Sequence, residues 1–202
     1  MILAHPPALL KKLYPSLVWE FKDAKNEVYL TFDDGPVPGI TDQVLDLLEA
    51  YDAKATFFCV ADNVKKHPEL FQRIRKEGHQ VANHTFSHMN GWNNTTSNYL
   101  NDIKNAEIFI PSQLFRPPYG RIKPTQIKAL QSSYKIIMWS HLSRDYDPSV
   151  SEDQCFSYAT KNLKAGSIIV FHDSLKAKNR VLPVLERVLN FIQTKNLKAV
   201  AI

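Results

Sequence analysis

The residues Val28-Tyr29-Leu30-Thr31-Phe32-Asp33-Asp34-Gly35-Pro36 read as a short strand that stops on two carboxylates. Val, Tyr, Thr and Phe suit the pleated, half-buried surface of a sheet. Gly35-Pro36 then forces a turn, so the acids stay at the strand tip and do not enter a helix. Successive side chains at a strand end diverge, which leaves Asp33 and Asp34 free to do different work. Taken alone, Asp-Asp-Gly-Pro is an ordinary turn. Its meaning depends on what the rest of the chain sets beside it.

Outward from this strand the chain alternates. Strand-like runs recur at 55–60, 80–83, 114–115, 135–139, 167–171 and 198–202. Helical spacing fills the intervals at 41–51, 68–78, 96–110, 124–130, 151–162 and 181–194. This pattern predicts a parallel α/β sheet in a single domain. The strands are near-continuous apolar runs, so both faces of the sheet are expected to be buried. Asp33-Asp34, His84, Arg116, Asp145 and His172 all fall at or just after the C-terminal ends of strands. In a β/α barrel those ends converge on one mouth. The expected architecture is therefore a distorted (β/α) barrel with about seven parallel strands. The absence of a Gly-rich loop after the first strand argues against a nucleotide-binding fold.

Composition narrows the function classes. With 44% hydrophobic and 22% charged residues in 202, the chain is not disordered. Two Cys exclude a disulfide framework, and Cys59 and Cys155 read as free thiols. No apolar run approaches the roughly 18 residues a membrane-spanning helix needs. The formal charge is +5, but the basic residues are scattered and form no stripe interleaved with aromatics. A nucleic-acid partner is not expected. The N-terminus places Pro6, Pro7 and then Lys11-Lys12 where a secretory leader wants charge followed by an apolar run. A cytoplasmic location is expected on that ground, although a trimmed leader would leave the same pattern. Residues 1–26 form a segment ahead of the domain at 27–202. Its Leu9, Leu10, Leu13, Tyr14, Leu17 and Trp19 are expected to pack on the barrel as a plug at the far end. A membrane-surface helix is the alternative, and Pro15 interrupts it.

Three further motifs carry chemistry. His84-Thr85-Phe86-Ser87-His88 places two imidazoles at i and i+4, which on one helical turn would face the same side and chelate one ion. An exposed pair is the commoner outcome of that spacing. A carboxylate from the first strand would complete two nitrogens and one oxygen and leave positions open, a set that suits Zn²⁺ with Co²⁺, Ni²⁺ or Fe²⁺ as competitors. Phe115-Arg116-Pro117-Pro118-Tyr119-Gly120 is a rigid turn headed by a permanent cation, suited to fixing an acid; the bland reading is a surface Arg. Val170-Phe171-His172 is an apolar strand ending in a His, which alone would be structural.

In this order, on an α/β framework, these pieces resemble the polysaccharide deacetylase family, carbohydrate esterase family four, which includes chitin, chitooligosaccharide and peptidoglycan deacetylases. The resemblance spans about 28–202. It implies a metal-dependent hydrolase that removes acetyl groups from N-acetylated oligo- or polysaccharides, with 27–202 as the catalytic domain. It implies Asp33 as general base, with Arg116 holding and tuning it. Asp34, His84 and His88 would be the metal ligands, with zinc the leading ion. His172 would be the general acid, oriented by Asp145. The turn ending at Tyr119 would supply a backbone N–H to the oxyanion, and Val170 would line the acetyl pocket. A monomer is expected, with an oligomer left open. A small non-sugar amide or an O-acetyl ester is the alternative substrate. A non-catalytic sugar-binding relic would not need the intact set of polar residues.

The chain departs from the family pattern twice. Tyr146 stands where a Trp is frequent, and Ser140 where an acid is frequent. Tyr119, Tyr146 and Trp92 are candidates for stacking on a sugar ring. Trp139 reads as core. His141 is left out of the site, and His5, His67 and His79 read as structural.

Overall fold

The computed structural model of the chain describes residues 3–202, so Met1 and Ile2 of the expected N-terminal segment lie outside the described residues. The strands are β1 (Glu27–Asp33), β2 (Thr56–Cys59), β3 (Gln80–Asn83), β4 (Leu114–Phe115), β5 (Lys135–Ile136), β6 (His141–Leu142), β7 (Ile168–His172) and β8 (Lys198–Val200). Their order is β5-β4-β3-β2-β1-β7-β6, with β8 paired to the start of β1. All strand pairs are parallel. The sheet is a curled, incompletely closed barrel, as the alternation predicted.

Around it lie α1 (Ala8–Leu13), α2 (Thr41–Ala50), α3 (Ala61–Lys66), α4 (Pro68–Lys76), α5 (Thr96–Glu107), α6 (Pro124–Leu130), α7 (Glu152–Thr160) and α8 (Val181–Thr194). None is long and apolar enough to cross a membrane. Strand alternation divides the core in two. Val28, Leu30 and Phe32 of β1, Phe57 and Cys59 of β2 and Ile169 and Phe171 of β7 pack outward with Val44, Leu48, Val184 and Val188 of the helices. Phe58, Ile168 and Val170 face the interior with Phe115 and Trp139. Burial of each large apolar side chain contributes about 1.5–3 kcal/mol, so this alternation fixes the register firmly. It also sends Thr31 and Asp33 inward, because they fall on the opposite parity from Leu30 and Phe32.

Seven strands make the continuous path of the sheet, as expected, with the short β8 beside β1; the difference is that the run at 135–139 does not stay a strand. After Ile136 the carbonyls of Ile137 and Met138 turn to the Arg116 guanidinium, at 3.2 and 3.0 Å. The chain rejoins the sheet only at His141, beside β7. The barrel is open at this seam, and the N-terminal segment runs along it. Val18 forms a parallel bridge with Ile137, Leu142 N–H donates to the Ala4 carbonyl, and Glu20 bridges Ser167 near the start of β7. Leu17 and Trp19 are buried there, whereas Leu9 and Leu13 of α1 face solvent. The segment thus follows the seam, and only its last residues reach the far end.

Candidate active site

The site begins with the diverging pair at the tip of β1. Asp33 continues the inward parity of the strand, while Asp34 adopts a left-handed φ of 81° and swings its carboxylate toward the next loop. Three side chains brace the turn. Gly35 N–H donates to Asp173 Oδ1 at 3.0 Å, the Thr41 hydroxyl donates to Asp173 Oδ2 at 2.6 Å, and Asn63 donates to the Asp34 carbonyl at 2.8 Å. A Cβ at position 35 would fall on the Asp173 carboxylate, which is why glycine stands there. Asp173 is fully buried, and burial pushes its carboxyl up to about 7. The sequence reading passed over it; an acid directly after His172 at a strand end was the available signal.

His84 and His88 do converge, but not on a helical turn. Residues 84–90 form an open loop in which Thr85 and His88 take left-handed φ values of 66° and 57°. The reason is side-chain capture of the backbone. Asp102 of α5 accepts the N–H groups of Phe86 and Ser87 at 3.0 and 3.1 Å and the Ser87 hydroxyl at 2.9 Å. Asn83 accepts Thr85 N–H at 2.8 Å. These bonds offer the backbone an alternative to helix. Asp102 was also missed in the sequence, because it lies on another element.

The two rings are oriented from behind. His84 Nδ1 sits 2.8 Å from the Arg116 carbonyl, and His88 Nδ1 3.1 Å from the Tyr119 hydroxyl. Each leaves Nε2 aimed at Asp34 Oδ1, at 3.7 Å for His84 and 3.0 Å for His88. One ligand atom from each of Asp34, His84 and His88 lies within 4.8 Å of the others. Burial pushes His84 down to about 4, so its imidazole is neutral, the form that ligates. Against the effect of burial, the hydrogen bond from His88 and the positive charge of His172 hold Asp34 well below the usual carboxylate range. Two imidazole nitrogens and one anionic oxygen, with second nitrogens hydrogen-bonded, fit a divalent ion.

Arg116 is the largest fully buried side chain. Its guanidinium lies 4.0 Å above the Phe58 ring. One Nη1 donates to Asp33 Oδ1 at 2.6 Å and to the Thr31 hydroxyl at 2.7 Å, while Nε and Nη2 serve the two seam carbonyls. Every arm of the fork is used, which a buried cation requires. Asp33 is thereby held in one orientation.

Opposite stands His172 at the end of β7. Asp145, itself fully buried, accepts both His172 Nδ1–H and the His172 backbone N–H at 2.8 Å. Arg180 donates to the Asp145 carbonyl at 2.7 Å. Burial opposes a charge on His172, yet the Asp145 carboxylate and its hydrogen bond, with Asp34 and Asp33 beyond, raise it to about 9. The Tyr146 ring meets His172 edge-on at 4.7 Å.

One cavity of about 180 Å³ joins these halves; Asp33, Asp34, His84, His88 and His172 line it with Tyr119, Tyr146 and Val170. Arg116 and Asp145 act from behind its wall. Tyr119 has a left-handed φ of 61°, and no backbone carbonyl among the described residues takes its N–H. Trp92 does not reach this cavity and lines a second one beside it. Trp139, read as core, lines both, and Leu142 joins the first. The Ser140 hydroxyl instead accepts Ile168 N–H at 2.9 Å and belongs to the sheet. His141 is buried between Ser140 Oγ and the Lys161 carbonyl, at 2.8 and 2.9 Å, outside the site. His5 and His79 likewise bond to backbone. Cys59 and Cys155 are both free and buried.

Comparison with known proteins follows the same line. The polysaccharide deacetylase family model matches residues 21–134. A peptidoglycan-N-acetylglucosamine deacetylase of Bacillus cereus is 34% identical over 205 residues, covering 96% of this chain and 95% of that protein. A chitooligosaccharide deacetylase of Azorhizobium caulinodans is 30% identical over 158 residues, covering 74% of each. The crystal structure of the Bc1960 peptidoglycan N-acetylglucosamine deacetylase with 4-naphthalen-1-yl-N-oxidanyl-benzamide superposes with a TM-score of 0.88 at 31% identity, covering 98% of this chain and 95% of that one.

Proposed function

The chain belongs to the polysaccharide deacetylase family, and from that premise we propose that it hydrolyses the acetamide of N-acetylglucosamine units in an oligo- or polysaccharide. The observation that carries this reading is the opposition, across one cavity, of the Asp33–Arg116 pair and the Asp34, His84 and His88 cluster to the His172–Asp145 pair. The substrates of the relatives, peptidoglycan and chitooligosaccharides, are both N-acetylated glycans.

Asp34, His84 and His88 would hold the ion, and zinc is our reading of it, with Co²⁺, Ni²⁺ or Fe²⁺ as substitutes. When bound, it supplies a water acidified toward a pKa of ~7 and a Lewis acid for the acetyl oxygen. Asp33, fixed by Arg116, takes the proton of the attacking water. The Tyr119 N–H, left without an internal acceptor, faces the developing oxyanion. Val170 and Leu142 give the acetyl methyl an apolar wall. An amine leaves poorly until protonated, and His172 delivers that proton from the far side. Asp145 keeps the imidazole charged and aimed. Each proton transfer is worth ~10²–10⁴ in rate. All the groups come from one chain, which supports action as a monomer.

The test is acetate release from N-acetylglucosamine oligomers of increasing length, using protein stripped by chelator and reloaded with Zn²⁺ or Co²⁺. Metal-dependent release is expected. Stoichiometric metal binding with no release from any oligomer would move the substrate to another acetylated compound.

A further inference from the structure

Beside the catalytic cavity lies a larger one of about 300 Å³, roofed by the N-terminal segment through Leu3, Pro6 and Leu10. The two cavities share Tyr119, Gly120 and Trp139 as a common wall. A group seated in the second is therefore adjacent to an acetamide seated in the first. For a glycan substrate that neighbour is the next sugar.

The lining of this cavity has an unusual chemistry. All three Trp residues of the chain contribute to it. Each indole N–H is already taken by a backbone carbonyl: Trp19 by Tyr14 at 3.3 Å, Trp92 by Ile122 at 3.3 Å and Trp139 by Leu3 at 3.2 Å. The rings therefore offer carbon faces and no polar handle. Such faces pack against the C–H side of a pyranose but do not choose between one sugar and another. Trp92 is 58% exposed, so its face is open to a ligand.

Arg121 is the one charged residue among the described lining residues. Its guanidinium lies 5.3 Å from the Trp92 ring centre and 5.9 Å from that of Tyr119, within cation–π range. The other arginines near the site are engaged: Arg116 with Asp33, Arg144 with Asp147 and Arg180 with the Asp145 carbonyl. No carboxylate or carbonyl among the described residues receives the Arg121 side chain. A cation is thus stacked at the rim of an apolar cavity, with its donors free and its position set by two rings.

We infer that this cavity is a subsite for the sugar next to the reacting one, and that Arg121 selects a neighbour carrying an acidic substituent, a carboxylate or a phosphate. The planar fork matches either oxyanion. Stacking on Trp92 and Tyr119 orders the side chain before the ligand arrives and lowers the entropy lost on binding. The inference rests on the deacetylase reading of the adjoining cavity.

The experiment compares kcat/KM on matched short glycans. In each, N-acetylglucosamine adjoins a sugar bearing a 3-O-carboxyalkyl group, the methylamide of that group, or a phosphate ester. The wild-type protein should favour an acidic form over the neutral amide by ~10-fold, the order a charge-assisted hydrogen bond supplies. Preference for both acids marks charge recognition, and preference for the carboxylate alone marks recognition by the planar fork. Arg121→Gln should collapse the acidic-to-neutral ratio through KM, Arg121→Lys should retain part of it, and Arg121→Glu should invert it. Equal kcat/KM for acid and amide, or a preference that survives Arg121→Gln, would overturn the inference.

Tryptophan fluorescence with the same glycans reads binding without turnover, since every indole borders the cavity. Acid-selective quenching without acetate release would keep the subsite and remove the deacetylase reading. Acetate release without acidic preference would do the reverse.

Discussion

The Gly35 N–H donates to Asp173 Oδ1 at 3.0 Å, and this bond ties the turn that carries both candidate acids to the strand that ends in His172. Asp173 also receives the Thr41 hydroxyl at 2.6 Å. Removing its carboxylate would leave two buried donors unpaired, at a cost of ~1–3 kcal/mol each. Asp173→Ala should lower the melting temperature and, by loosening Asp34, weaken metal binding about 10- to 100-fold, as loss of an outer-shell partner does. Asp173→Asn, which keeps the size and an acceptor for the Gly35 N–H but turns the contact with Thr41 into a donor, should recover part of both. Thermal unfolding and metal titration check this.

The His172–Asp145 pair carries a pH signature. The folded value of about 9 lies above the ordinary 6.5, so the pair stabilises the fold fully below 6.5 and loses that contribution as pH rises through about 9. In the proposed mechanism the acid form is also the one that protonates the leaving amine. Because a bound divalent ion offsets the Asp34 charge, the alkaline limb of kcat should lie above 6.5 and no higher than about 9 in the wild type, and move downward in Asp145→Asn, where the counter-charge is gone. A pH–rate profile of both proteins settles the matter, and an alkaline limb that does not move would sever Asp145 from His172.

Arg116 is buried with all its donors used. Arg116→Ala would strand the Asp33 carboxylate and should cost about 3–5 kcal/mol. Arg116→Lys keeps the charge but not the fork, so it should fold while turnover falls at least about tenfold through misplacement of Asp33. Denaturant unfolding and initial rates separate the two effects.

The loop carrying His84 and His88 depends on Asp102, whose carboxylate holds two backbone N–H groups and one hydroxyl. Asp102→Ala should leave the sheet intact, because it touches only the loop. It should weaken metal binding by about 10- to 100-fold. Circular dichroism and metal titration distinguish this from general unfolding.

How much was legible in the sequence follows from the reach of each signal. Strand and helix periodicity is local, so the alternation of elements and the barrel could be read directly. The polar residues at strand tips could be read as one mouth, because parallel strands send their C-terminal ends the same way. Two features were not legible. The loop at 84–90 shows helical spacing, and only Asp102, on another element, diverts it from helix. The run at 135–139 has strand composition, but the buried Arg116 draws away its carbonyls. Trp139 is core as its strand context suggested, and its buried ring also lines both cavities. Each miss is a long-range side-chain contact overriding a local preference.

In the proposed mechanism, metal holding and proton delivery sit on opposite sides of one cavity. Bound metal and acetate release, measured in parallel on the wild type, His88→Ala and His172→Ala, separate the two functions. His88→Ala should lose metal and activity together, while His172→Ala should keep stoichiometric metal and lose turnover by about 10²–10⁴. Full activity in His172→Ala, or unchanged metal affinity in His88→Ala, would contradict that mechanism.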